Sequence, residues 1–170
     1  MIYDRFGFDF RIIHKNPNKE VIYDSGWTPN QVSDDGFEHI FDTFFRAATA
    51  PTSFKIGLLT SNVNQASSYN DLVALAPTGT GYAEQALTRN NTGFPTLTLA
   101  SGDMQLISAE VTFENTGGSN WTTVTHAYLS SVTGGSGVFI SWEALSLSRT
   151  LGPGDTLGVI IRQKGRQSAE

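Results

Sequence analysis

Between Phe6 and Ile12 apolar and polar residues alternate with a period of two. Phe6, Phe8, Phe10 and Ile12 fall on one side and Gly7, Asp9 and Arg11 on the other. An extended chain points successive side chains to opposite faces, so this pattern predicts a strand with one buried face. Asn16, Pro17 and Asn18 supply a turn, and residues 20–23 run back as its hairpin partner. Residues 1–30 are thus expected to form an N-terminal hairpin or arm. Its alternation would close an edge of its own sheet or add a strand to another subunit.

The period changes after residue 34. Phe37, Ile40, Phe41, Phe44, Phe45 and Ala48 recur at the spacing of one helical face, and Asp35 with Glu38 has capping-box spacing. This predicts an amphipathic helix over about 35–48, ended by Thr49-Ala50-Pro51. Four phenylalanines on one stripe demand a large apolar partner, and the expected partner is the chain's own sheet, with a peptide or lipid groove as the alternative. From Phe54 onward the chain reads as short strands separated by turns. Strands are expected around 54–60, 84–88, 97–99, 106–113, 122–129, 138–145 and 156–161, and a long polar loop over 61–82. Leu157, Val159 and Ile161 repeat the alternation in the last of them.

The fold class that follows is all-β, a jelly-roll-like β-sandwich over residues 31–161 with the one helix packed on the sheet. Residues 162–170 follow as a basic C-terminal tail, through Arg162, Lys164 and Arg166.

Composition narrows the function classes. Charged residues make up 16% of the 170, against the ~25% usual in soluble domains, which suits surfaces that meet other protein. A net charge of −5 argues against nucleic acid as partner. The chain has no cysteine, hence neither a disulfide framework nor a thiolate nucleophile. The N-terminus lacks a basic start and an apolar core, and no 18-residue apolar run occurs, so neither secretion by the general route nor membrane spanning is expected.

Catalytic patterns are missing. His14, His39 and His126 have no metal-ligand spacing, no serine sits in a G-x-S-x-G elbow, and Gly79-Thr80-Gly81 lacks the lysine of a phosphate loop. His39 is expected at the surface and His126 as a hydrogen-bonded structural residue. Glu110 and Glu114 share a strand face but stand roughly 13 Å apart, too far for a hydrolytic carboxylate pair. No catalytic, cofactor-binding or metal-binding residue is therefore assigned, and no enzyme activity is expected. Trp27, Trp121 and Trp142 are candidate sugar-stacking surfaces; Trp121, after the turn at residues 117–120, is expected to be the exposed one and Trp142 a core residue.

The order of elements resembles small structural proteins of tailed bacteriophages, described as head decoration, cement or tail-fibre-like proteins. The resemblance is carried by Ser33 through Ala47 with the following Phe54-Lys-Ile-Gly-Leu-Leu-Thr, by Gly81-Tyr-Ala-Glu-Gln-Ala-Leu-Thr-Arg, and by four stretches in order. These are Val111-Thr-Phe-Glu-Asn, Val124-Thr-His-Ala-Tyr-Leu, Phe139-Ile-Ser-Trp-Glu-Ala-Leu and Arg149-Thr-Leu-Gly-Pro-Gly-Asp-Thr-Leu.

What the resemblance implies is a non-enzymatic virion protein, made in the host cytoplasm. Its expected place is the capsid surface, where as a homotrimer or dimer it would bind the major capsid protein between subunits and stabilise the shell. A tail or tail-fibre component is the alternative within the virion, and a carbohydrate-binding module the alternative outside it. Neither nucleic acid nor membrane is expected as a partner. The expected contact residues are Tyr3, Arg5 and Phe6 in the arm, Trp121, and Arg162, Lys164 and Arg166 in the tail.

Overall fold

Phe8, Phe10 and Ile12 point inward from β1 (Phe6–Lys15), and the length of that strand organises everything else. In the computed structural model, which describes residues 6–131 and 137–166, β1 runs antiparallel to β12 (Thr156–Arg166) through ten successive residue pairs, from Lys15 opposite Thr156 to Phe6 opposite Gly165. On its other side β1 pairs with β2 (Val21–Asp24) and β3 (Thr28–Pro29). Beyond β12 come β8 (Asp103–Ile107) and β7 (Thr96–Ala100), and β9 (Val111–Glu114) pairs with the other half of β12. The facing sheet is ordered β4 (Gln31–Val32), β11 (Phe139–Arg149), β10 (Val124–Ser131), β5 (Ser53–Leu59) and β6 (Gln85–Thr88). Both sheets are antiparallel, and the all-β sandwich with a helix is the observed architecture.

Two apolar clusters hold the layers. The larger lies between the sheets and includes Phe10, Ile12, Ile56, Leu58, Phe113 and Val159, each nearly inaccessible. The smaller lies on the far side of the second sheet, where Tyr128, Phe139 and Trp142 are covered by Leu72 of α2 (Tyr69–Ala74). Ser68 and Asp71 form a capping box for α2, so part of the expected long polar loop is a helix whose polar residues serve its first turn. Tyr82, from the same loop, locks onto β5: its hydroxyl accepts from the Leu58 amide at 2.9 Å and donates to the Leu58 carbonyl at 3.1 Å. Its ring stacks on Phe113 and meets Trp121 edge-on.

Several expectations need correction. Of the two forms expected for residues 1–30 the hairpin is observed, β1 with β2, and β1 lies inside its sheet with β12 on its other side, so it is not a free arm. The basic tail continues as strand through Arg166, since Arg162 and Lys164 on the outer face of β12 are neutralised by Asp9 of β1. The expected strand over 106–113 is two strands. At Ser108 the ladder to β12 is kept by its amide donating to the Ile161 carbonyl and its hydroxyl accepting from the Ile161 amide, both at 2.9 Å. Gly134-Gly135-Ser136-Gly137, which by its composition is expected as a turn between two strands, lies mostly outside the described residues.

The helix α1 (Asp34–Phe45) packs on the sheet, but not by the face its sequence advertises. Ser33 is its N-cap, accepting from the Gly36 amide at 3.0 Å, and Asp34 and Asp35 place negative charge in the first turn. Gly36 lies directly on β11: a Cβ there would stand 2.3 Å from the Ile140 carbonyl oxygen. With Gly36, Ile40 and Thr43 turned inward, the neighbouring stripe turns out. Phe37, Phe41, Phe44 and Phe45 are 39%, 55%, 75% and 80% exposed. The stripe therefore does not have the chain's own sheet as its partner, which is the partner expected from the sequence.

Gly36→Ala should displace α1 and lower the unfolding free energy by roughly 1–3 kcal/mol, the usual cost of forcing a methyl into a packed contact. Gly118→Ala, with open space at the Cβ position, should leave it unchanged. Chemical denaturation of the two variants checks both outcomes.

Candidate interaction surface

The inward-facing row of β12 changes character along its length. Leu157, Val159 and Ile161 are fully buried, but the same row continues to Gln163 and Gly165, which are only half-buried. Residues directly opposite in an antiparallel ladder share a face, so Phe8, Gln163, Leu106 and Leu97 form one rung of this face, and Gly165, Met104 and Leu99 belong to the next. Leu97 and Leu99 are each 68% exposed and Met104 is 49% exposed. The sheet thus overhangs its partner and shows an apolar inner face to the outside.

A cavity of about 520 Å³ opens where the overhang meets α1. Phe8, Leu106 and Ile161 form one wall, Phe54, Leu129 and Ile140 the other, and Ile40, Thr43 and Phe44 come from α1. Its polar groups are few. His39 Nε2 and Thr43 Oγ1 are buried with no hydrogen-bond partner among the described residues, and Arg89 sits exposed at the margin. His39 was expected at the open surface; it is half-buried because the outward turn of the phenylalanines carries it against the cavity. The cavity is bordered by Phe44 of the stripe and by Leu106, which stands opposite Leu97, and large exposed apolar patches are rare on monomeric proteins.

Of the residues expected to make contacts, Arg162, Lys164 and Trp121 lie elsewhere. Tyr3 and Arg5 are outside the described residues, as are the side chains of Phe6 and Arg166. Arg162 donates from Nε to Asp9 at 2.7 Å and lies 4.4 Å above the Trp27 ring, and Lys164 reaches Asp9 at 3.0 Å. Both are thus engaged by Asp9, itself only 2% exposed. Trp121 is also not at the surface. It is 2% exposed, its Nε1 donates to the Thr80 carbonyl at 3.0 Å, and Gly79 lies against its ring, so no face remains for a sugar. Trp142 is buried, as expected. His126 is hydrogen-bonded to Thr125 at 2.8 Å, and burial lowers its pKa.

Two acidic groups have unusual surroundings. Burial pushes the Glu84 carboxyl up, but hydrogen bonds from Tyr128, Lys55 and Tyr69 outweigh it and leave the pKa lowered. Glu84 is therefore a fixed anion tying β5 and β10 to α2. Glu143, opposite Ala127 on β11, behaves in the opposite way. Burial, with the Asp9 charge adding to it, pushes its pKa up to about 7. Glu110 and Glu114 pair with Lys15 and Lys19 and are not directed at one another.

Because the folded state holds the Glu143 proton more tightly than the unfolded chain, Glu143 costs no stability below the unfolded value of 4.5. The cost grows as pH rises from there through about 7. Glu143→Gln should raise the unfolding free energy at pH 8 by roughly 1–2 kcal/mol, discounted for its partial exposure, and change little at pH 4. Denaturant titrations at the two pH values check this. Trp121→Ala should cost roughly 3–5 kcal/mol, the range for emptying an aromatic core position, and would show as a large drop in melting temperature.

No curated protein matches this chain. A family model described as Podophage GP4 fiber I protein gp80 matches residues 31–164, which take in the whole second sheet, α1, the cavity walls apart from Phe8 and most of β12. A match over that share of the chain shows the family: the protein belongs to the podophage fiber I protein gp80 family of tailed-phage structural proteins.

Proposed function

We propose that this chain is a building block of a phage tail fibre, working through the surfaces it presents to neighbouring chains. The observation that carries the reading is the family match, which extends over the whole second sheet, the part of the first sheet after β3 and the helix α1, and is not confined to one short motif. A virion structural role follows from the family itself. The description of the family as a fiber protein supports placement on a fibre, and nothing in that match supports the capsid-surface position expected from the sequence. The apolar surface over α1 and the overhang fits a component that is one part of a larger object, because exposed rings in water gain by being covered. The burial of Trp121 removes the preferred of the three tryptophans on which the sugar-binding alternative rested.

Copy number and position separate fibre from capsid decoration. Quantitative mass spectrometry of purified particles should find few copies per virion, and gold-labelled antibody should mark the tail. Hundreds of copies spread over the head would overturn the fibre assignment and restore the decoration reading.

A further inference from the structure

The cavity walled by both sheets and α1 has the dimensions of a ligand site. Its volume of about 520 Å³ falls within the roughly 300–1,000 Å³ of small-molecule pockets. Leu129, Ile140 and Ile161 line it while being 3%, 2% and 1% exposed, so it reaches down to the core between the sheets. Phe44, 75% exposed, lines it from α1 and marks its open end. That depth suits the apolar body of a slender molecule, which would take apolar wall out of water as it entered.

Charge sets the kind of molecule. Arg89 follows β6 directly, and its amide donates to the Thr52 carbonyl at 3.1 Å. The turn after it is held in place: Asn90 Oδ1 accepts from the Thr92 and Gly93 amides, each at 2.9 Å, and Phe94 meets Phe54 edge-on. The Arg89 guanidinium itself is exposed and has neither an ion pair nor a hydrogen bond among the described residues. No aspartate or glutamate among the described residues lines the cavity; His39, Thr43, Asn90, Asn91 and Gln163 make up the rest of its polar lining. A cationic ligand would find no counter-charge there. An anionic one would find Arg89, whose planar guanidinium matches a carboxylate. A membrane surface would call for a cluster of cations, and the margin of the cavity offers one arginine.

We infer that the cavity binds a free, small monocarboxylate, its apolar body lying between Phe8, Phe54 and Leu106 and its anionic end held at the margin by Arg89. The inference goes beyond the fibre reading and does not rest on it, because the site is complete within one copy of the chain.

NMR of the full chain titrated with sodium octanoate tests this, with octanol and octylammonium as neutral and cationic probes of the same length. Octanoate should shift the methyl signals of Ile40, Leu106, Leu129 and Ile161 and leave those of Leu72, on the far side of the second sheet, unmoved. It should bind roughly tenfold or more tightly than octylammonium. Arg89→Gln should weaken octanoate roughly tenfold, the worth of one charge-assisted hydrogen bond, and leave octanol unchanged. Because Arg89 is exposed, that variant should keep the wild-type spectrum elsewhere. Ala50→Trp, which fills the cavity from a half-buried position in its lining, should abolish octanoate binding. Should it fail to fold, the methyl map and the Arg89 variant give the answer. Co-sedimentation with phosphatidylglycerol vesicles should leave the protein in the supernatant. Unmoved cavity methyls, or shifts confined to the exposed Leu97 and Leu99, would overturn the inference. So would equal affinity for the three probes, octanoate binding that Arg89→Gln does not weaken, or capture by the vesicles in place of free octanoate.

Discussion

The ten-residue pairing of β1 with β12 is the constraint from which the rest of the structure follows. It is longer than the facing sheet can cover. Over the half of β12 that carries Leu157, Val159 and Ile161, both layers are present and a closed core forms. Toward Gln163 and Gly165 the two layers part around the cavity, and the outer strands of the longer sheet leave Leu97, Leu99 and Met104 exposed. The cavity, the exposed β7–β8 hairpin and the half-buried His39 all lie at that boundary.

The helix α1 sits at the same boundary and repeats the problem in another form. It is anchored by a contact so close that only glycine fits, Gly36 on the Ile140 backbone. That anchor fixes the rotation of the helix and turns its most apolar side away from the protein. A helix used as a lid for its own core would put phenylalanine where Gly36 stands. The present arrangement keeps the lid thin and the outward surface aromatic, which suits a chain whose family builds fibres.

Strand alternation made much of this architecture legible in advance. Phe8, Phe10, Ile12, Leu157, Val159 and Ile161 are buried as the period-two pattern requires, and the turn at Pro17 lies where the sequence puts it. The helix was legible too, but its orientation was not. Periodicity reports that a helix has an apolar side; it does not say whether the chain itself or another body covers that side, and a glycine anchor contributes nothing to an apolar count. Trp121, Arg162 and Lys164 were misplaced for a different reason. The groups that cover or neutralise them, Tyr82 with Thr80 and Asp9, are distant in sequence, up to 153 residues for Arg162 and Asp9, and no local pattern announces such contacts.

Hydroxyl-radical footprinting of phage particles and of dilute purified protein tests the central claim most directly, since radicals label accessible aromatic rings. The peptide that carries Phe37, Phe41, Phe44 and Phe45 should be labelled readily in the dilute chain and be strongly protected in the particle, while the buried Trp121 stays protected in both. Equal labelling of that peptide in the two states would contradict the account, because it would mean that the outward face of α1 stays bare in the virion.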